Sequence, residues 1–155
     1  MKEIKLTQNR ITIVDDEDFD YLSSFSWCFG SVGYPETRTS VAEGRKLKRM
    51  HSLILKTPKG LMCDHINGNK LDNRKSNLRL CTMMENMRNR NKTSTNKSGY
   101  KGVYFEEYTG KWKAQIKYGN KNHNLGRFEK LKDAAKAYNM AAIENFGEFA
   151  RINLI

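Results

Sequence analysis

A chain of 155 residues with 28 Lys and Arg against 17 Asp and Glu, a formal charge of +11, fits one ordinary domain or two or three small ones with thin cores. No apolar run approaches the ~18 residues of a membrane span and no apolar signal-peptide core follows Met1, so the expectation is a soluble protein with no membrane partner. Cys28, Cys63 and Cys81 form no CxxC pair, which speaks against a disulfide framework and a cysteine-rich zinc site and fits a reducing cytoplasm.

The basic excess is +2 over residues 1–60, +5 over 61–98 and +4 over 99–155. A cationic surface favours a polyanion, because neutralised phosphates release condensed counterions. Nucleic acid is therefore the expected partner. Aromatic residues interleave with the charges at Tyr100, Tyr104, Tyr108 and Trp112, which a merely solubilising face does not need.

In chain order, Ile4, Leu6, Ile11 and Ile13 alternate around the turn-like TQN, which predicts a β-hairpin over residues 1–14. The acidic DDEDFDYL predicts a short helix or turn. Aromatic fragments around Trp27 and Phe29, then GRKLKRMHSLIL with an apolar face from Met50, Leu53, Ile54 and Leu55, look like scaffold. His51, a single histidine beside that apolar run, reads as a packed structural residue. LMCDHI and NLRLCT predict two strands joined by a polar loop, and Thr82 with Glu85 three residues on is a capping-box start to a helix. Residues 91–98, NKTSTNKS, have the composition of a linker. Beyond them GVYF, KWKAQIKY and NHNLGRF predict three strands, the second with Trp112, Ala114, Ile116 and Tyr118 on one side and its lysines on the other. Leu131, Ala135, Tyr138, Ala142 and Phe146 share one helical face, with Gly147 as the stop. The expected class is α+β: a ββα unit with a β-rich segment before it, then a small three-stranded antiparallel sheet packed on one helix.

Chemistry concentrates in CDHINGNKLDNRKSNLRLCTMMENMRNR, residues 63–90, the heart of the most basic third of the chain. Cleaving a phosphodiester requires an activated water and positive charge to stabilise the phosphate and the leaving oxygen. A histidine, with an ordinary pKa of about 6.5, is largely neutral at physiological pH and accepts the proton of the attacking water, which suits His65. Asp64 offers a carboxylate oxygen and Asn86, twenty-one residues beyond His65 near a helix start, an amide oxygen; such hard ligands suit Mg²⁺. Asn77, twelve residues beyond His65, is poor as an acid or base but can bond across the loop and hold His65. Taken singly these residues are at home in a polar turn or a helix start. Neighbours in a regular strand point to opposite faces, so the scheme requires a bend at Asp64-His65 for both side chains to meet Asn86.

The joint spacing in DHINGNKLDNRKSNLRLCTMMEN resembles the HNH, or ββα-metal, nucleases, in particular the homing-endonuclease-like branch with Asn in place of the last His. The resemblance implies that Asp64 and Asn86 take one Mg²⁺ or Mn²⁺, that His65 is the general base, and that Asn77 is the central Asn of the name, catalytic with His65. IKLT, VDDEDFDYLSSFSW and MHSLIL resemble the segment preceding the motif in that branch. The stretch SGYKGVYFEEYTGKWKAQIKYGNKNHNLGRFEKLKDAAKAYNMAAIENFGEFARIN resembles the ethylene-response-factor (APETALA-two) type DNA-binding domain, whose three-stranded sheet reads the major groove. That resemblance puts Lys101, Tyr104, Glu106, Gln115, Lys117 and Asn124 at base- or phosphate-contacting places, while Arg forks for guanine are largely missing and Lys130 stands where the family's helix usually has a capping Thr.

The expected domains are an endonuclease domain over 1–90, with its ββα core at about 61–90, a linker at 91–98 and a DNA-binding domain over 99–155. The expected function is metal-dependent hydrolysis of double-stranded DNA, homing-endonuclease-like, with one active site per chain, a monomer and no small-molecule cofactor. Lys101, Lys113 and Lys117 would supply phosphate contacts, with Tyr104, Gln115 and Asn124 beside them. A mobile-element or phage enzyme working in the host cytoplasm is what the resemblance implies. The rival readings are a DNA-binding regulator that uses the C-terminal sheet without cutting, and a basic RNA- or ribosome-associated protein, which leaves the spacing of residues 64–86 unexplained.

Overall fold

A computed structural model describes residues 1–155, which divide into two units, Met1–Asn86 and Met87–Ile155. None of their helices is long and apolar enough to cross a membrane.

In the first unit the alternating N-terminal residues form an antiparallel hairpin of β1 (Lys2–Lys5) and β2 (Ile11–Val14). Gln8 and Asn9 turn it at φ of 62° and 53°, left-handed values that Asn tolerates better than most side chains. The inward residues Ile4, Leu6 and Val14 meet Leu22 of α1 (Asp16–Ser23) in a core shared with Trp27, Met50 and Leu78. Three acidic residues open α1, where its dipole favours them.

A three-stranded sheet of β3 (Cys28–Phe29), β4 (Pro35–Arg38) and β5 (Leu47–Arg49) follows, in order β3-β4-β5, then the short α2 (Met50–Ile54). No sequence pattern announces this sheet: its strands are too short for periodicity to show. Within it Arg49 Nε donates to Glu36 Oε1 at 3.2 Å, and Trp27, just before β3, donates through Nε1 to the Leu22 carbonyl at 2.8 Å. Next come β6 (Met62–His65) and β7 (Leu78–Cys81), a two-stranded antiparallel sheet, and α3 (Met83–Arg88). The hairpin grips the loop between β6 and β7: Ile13 N donates to Leu71 O and Asn73 N to Ile13 O, both at 2.9 Å.

In the second unit β8 (Val103–Glu106), β9 (Lys111–Tyr118) and β10 (Lys121–Phe128) form an antiparallel sheet with β9 central and a bulge between Asn124 and Gly126. It packs on α4 (Leu131–Phe146), where fully buried Ala134, Ala135 and Ala142 permit close approach to Val103, Ala114 and Ile116. Lys130 precedes α4 without a side-chain cap, and Gly147 ends the helix at φ 52°. Asn96 and Ser98 donate to the carbonyls of Tyr100 and Val103, so this part of the polar stretch is ordered against β8.

Candidate active site

β6 carries Asp64 and His65 side by side, in register with Arg79 and Leu78 of β7. Pairing continues past the strand end, with Ile66 N donating to Asn77 O at 2.9 Å. The expected bend at Asp64-His65 is therefore a correction: continuous ladder bonding keeps the strand regular, and strand alternation sends the two side chains to opposite sides. Asp64 Oδ2 accepts from Arg79 Nε at 3.0 Å and Nη2 at 2.8 Å. His65 lies instead against Asn73, Tyr34 and His51.

His65 is 4% exposed, and its Nε2 lies 3.2 Å from Asn73 Oδ1. Burial lowers its pKa, with the Asn73 bond and the charges of Asp64 and Asp72 pulling the other way. The ring centroids of His51 and Tyr34 are 5.1 and 5.9 Å away, and Tyr34 carries Arg49 and Lys70 over its ring at 4.8 and 4.6 Å. His51 is a packed residue, as expected from its apolar neighbours, but it packs against the candidate base, and its Nδ1 is buried with no hydrogen-bond partner. Burial, then the neighbouring His65 and Arg49, pushes its pKa from 6.5 down to about 3.

That shift makes a prediction about stability. Between pH 6.5 and about 3 the unfolded chain protonates His51 and the folded chain does not. Stability from this group is thus present above pH 6.5 and falls with acidification, at up to about 1.4 kcal/mol per pH unit inside that window. Urea unfolding from pH 7 to pH 4 is expected to show a shallower loss in His51→Phe than in the parent; equal slopes would mean that His51 protonates as readily folded as unfolded.

Asn77 bridges the loop: its Oδ1 accepts from Asn67 N at 3.0 Å and its Nδ2 donates to Asp72 O at 2.8 Å. It does bond across the loop, but a side chain hydrogen-bonded to His65 is that of Asn73, which the residue pattern does not single out. Asn73 is fully buried, as an Asn in a surface turn rarely is, and only the tertiary grip of the hairpin shows its place. Arg79 is equally silent in the sequence; strand register is what puts it opposite Asp64.

The capping box is formed: Thr82 Oγ1 accepts from Glu85 N at 3.3 Å while Glu85 Oε2 accepts from Thr82 N at 2.8 Å. It sets the start of α3, where Asn86, half-buried, donates through Nδ2 to Met62 Sδ at 3.7 Å. Met62 is two residues from Asp64 in β6, so alternation brings Asn86 to the Asp64 side of the strand. A carboxylate and an amide there fit a hard divalent ion, which keeps waters and takes phosphate oxygens as its remaining ligands. Arg79 already sets positive charge against that carboxylate. No group of three His, Cys, Asp or Glu converges to hold a metal, and burial pushes the thiols of Cys63 and Cys81 up to about 12 and 11.

In the second unit the register aligns Tyr104 with Lys113 and Asn124 with Gln115, on the side of the sheet away from Ala114 and Ile116. Lys117 extends the same row. Tyr104 OH donates to Gln115 Oε1 at 3.3 Å, and Lys113 lies over the Tyr104 ring. Glu106 is engaged by Arg127 and, at 3.5 Å, by Lys113; chiefly the Arg127 bond lowers its pKa to about 2. Lys101 is a correction to the expected row of phosphate contacts. It precedes β8, and its Nζ donates to the carbonyls of Arg88 at 2.5 Å and Arg90 at 2.7 Å, with burial lowering its pKa to about 8. A half-buried ammonium spent on backbone carbonyls is a structural tie.

A family model described as HNH endonuclease matches residues 56–88, which span β6, β7 and α3. The chain is 35% identical over 136 residues to "Uncharacterized HNH endonuclease L560" of Acanthamoeba polyphaga mimivirus, covering 86% of this chain and 70% of that one. It is also 35% identical over 94 residues to "Protein 3.8" of Escherichia phage T7, covering 61% of this chain and 77% of the phage protein. No solved structure matches it. A ββα unit that carries Asp64, His65, Asn77 and Asn86, and a similarity that runs through most of the chain, lead to one conclusion: the chain belongs to the HNH endonuclease family.

Proposed function

We propose that this HNH endonuclease hydrolyses phosphodiester bonds of duplex DNA with His65 as general base, Asp64 and Asn86 as ligands of one Mg²⁺ or Mn²⁺, and residues 99–155 as an ethylene-response-factor type domain that holds it on the duplex. The observation that carries the reading is the buried His65 beside Asp64 in one strand, with Asn86 presented to the Asp64 side by the capped helix. β6 is paired on one edge only, by β7. In this reading the phosphodiester crosses that other edge and is reached by Asp64 from one side of the strand and by His65 from the other, which would not need a bend. The neutral imidazole takes a proton from water, and the resulting hydroxide attacks phosphorus as the bond to the leaving oxygen breaks. Asn77 keeps the loop closed beneath. When bound, the ion supplies positive charge for the phosphate and the leaving oxygen.

Supercoiled plasmid incubated with the full chain and Mg²⁺ is expected to relax to open circles, and a chelator is expected to abolish the change. Plasmid that stays supercoiled with both Mg²⁺ and Mn²⁺ would sink the catalytic reading. For the second unit, a Lys113→Gln, Lys117→Gln variant is expected to bind duplex more weakly, with a salt slope shallower by roughly 0.9 for each phosphate that is no longer neutralised. An unchanged slope would move DNA binding off this face.

A further inference from the structure

Resting on His65 as the general base, we propose that Asn73, itself held by Thr12 of the N-terminal hairpin, is a positioning residue that keeps the neutral His65 protonated on Nε2, so that Nδ1 is the nitrogen that takes the proton of the attacking water.

The contact between His65 Nε2 and Asn73 Oδ1 allows either tautomer when viewed alone. The other end of the Asn73 amide removes the ambiguity. Its Nδ2 lies 3.2 Å from Lys70 O and 2.8 Å from Thr12 Oγ1. A backbone carbonyl only accepts, so the amide atom facing Lys70 is the NH₂ group and the atom facing His65 is the oxygen. Thr12 gives the same orientation independently. Its hydroxyl proton goes to Leu71 O at 2.8 Å, a far better acceptor than the Met50 thioether at 3.9 Å, so Thr12 Oγ1 accepts from Asn73. An amide oxygen cannot donate. His65 Nε2 must therefore carry the proton, and a neutral imidazole has only one; the lone pair is on Nδ1.

Burial makes the arrangement hold. Thr12 and Asn73 are both fully buried, so water does not substitute for either partner. The backbone bonds from Asn73 N to Ile13 O and from Ile13 N to Leu71 O lock the loop to β2 on both sides of the relay. A hairpin far before the strand of the base in sequence thus becomes part of its machinery, through the chain Leu71 O, Thr12, Asn73, His65. During hydrolysis the water proton moves to Nδ1 and the hydroxide oxygen bonds phosphorus as the bond from phosphorus to the leaving oxygen breaks. The imidazolium that results keeps its Nε2–H on Asn73 Oδ1, now as a charge-assisted bond, which is stronger than the neutral one.

The test reads the tautomer directly, by long-range ¹H–¹⁵N correlation at neutral pH on the full chain labelled at histidine, with His51→Phe and His123→Ala variants to assign the signals. The expected result is the Nε2–H pattern for His65. A His65 protonated on Nδ1 overturns the proposal, whatever the enzyme does to DNA. An Nε2–H pattern in a protein that leaves plasmid intact under every metal upholds the tautomer and overturns the general-base reading instead. In Asn73→Ala the Nε2–H population is expected to fall and kcat to drop by roughly 10²–10⁴-fold, the range that general-base catalysis spans, with KM for DNA unchanged. Asn73→Asp, which keeps an acceptor at that position, is expected to retain the Nε2–H tautomer. Full loss of kcat in Asn73→Ala with the wild-type tautomer intact would show a merely structural role and overturn the proposal. The wild-type spectrum decides the tautomer even where Asn73→Ala does not fold.

Discussion

His65→Ala is expected to lower the rate of plasmid cleavage by roughly 10²–10⁴-fold, the contribution of a positioned general base, while duplex affinity is retained. The imidazole is almost wholly buried against His51 and Tyr34, so its removal also leaves a cavity and an Asn73 oxygen without its donor. An unsatisfied buried acceptor costs on the order of 1–3 kcal/mol, enough to confuse lost chemistry with lost folding. His65→Gln separates the two. Its amide NH₂ can donate to Asn73 Oδ1 much as the ring does, but no glutamine atom accepts a proton from water. The expected pattern is the same roughly 10²–10⁴-fold loss of cleavage in both variants, with a smaller stability loss in His65→Gln. Cleavage by His65→Gln within about tenfold of the parent would remove His65 from the role of base, since that falls short of the smallest general-base contribution.

Local patterns were legible where they were long or closed on themselves. The alternation of Ile4, Leu6, Ile11 and Ile13 and the Thr82–Glu85 capping box needed only neighbouring residues, and both elements are present. The inward row Trp112, Ala114, Ile116 and Tyr118 and the apolar face of α4 extend over enough residues for period to be read. The β3-β4-β5 sheet was not legible, because strands of two to four residues containing Pro35, Glu36 and Arg38 carry no alternation, and their pairing depends on partners across intervening loops. The candidate site divides along the same line. Residue types within 64–86 suggested the chemistry, but the straight course of β6, the tie of Lys101 to two carbonyls and the contact of Asn73 with His65 are tertiary facts. Asn73 is the sharpest case: in the run LDNRKSN it is one polar loop residue among several, and only the hairpin sixty-one residues before it makes it a buried partner of the base.

Gly102→Ala is expected to unfold much of the second unit. Gly102 precedes β8 with φ +74°, a left-handed conformation that costs a residue with a Cβ about 1–2 kcal/mol. The space is closed as well: a Cβ there would sit 2.1 Å from Tyr138 Cδ2 and 2.6 Å from Gln115 O. Neither neighbour can yield cheaply. Tyr138 is 3% exposed in the core under the sheet, and Gln115 belongs to central strand β9, where its N–H donates to Gly102 O at 2.8 Å. Relief by moving the backbone would break that bond and disturb the Val103–Ala114 register; relief by moving Tyr138 would open the core. Overpacking of this kind costs about 1–3 kcal/mol, and with the backbone strain the total is about 2–5 kcal/mol. A unit of residues 87–155 holds about 3–10 kcal/mol, at about 0.05–0.15 kcal/mol per residue, so this loss is a large share of it. Hydrogen exchange on peptides spanning 103–118 is expected to show protection lost in Gly102→Ala, and duplex binding is expected to fall with it. In Gly110→Ala, at a positive-φ turn with nothing within 4 Å of the added Cβ, only the conformational cost applies, so most protection should remain. Equal protection in the Gly102 and Gly110 variants would show that contact with Tyr138 and Gln115 is not what requires glycine at position 102.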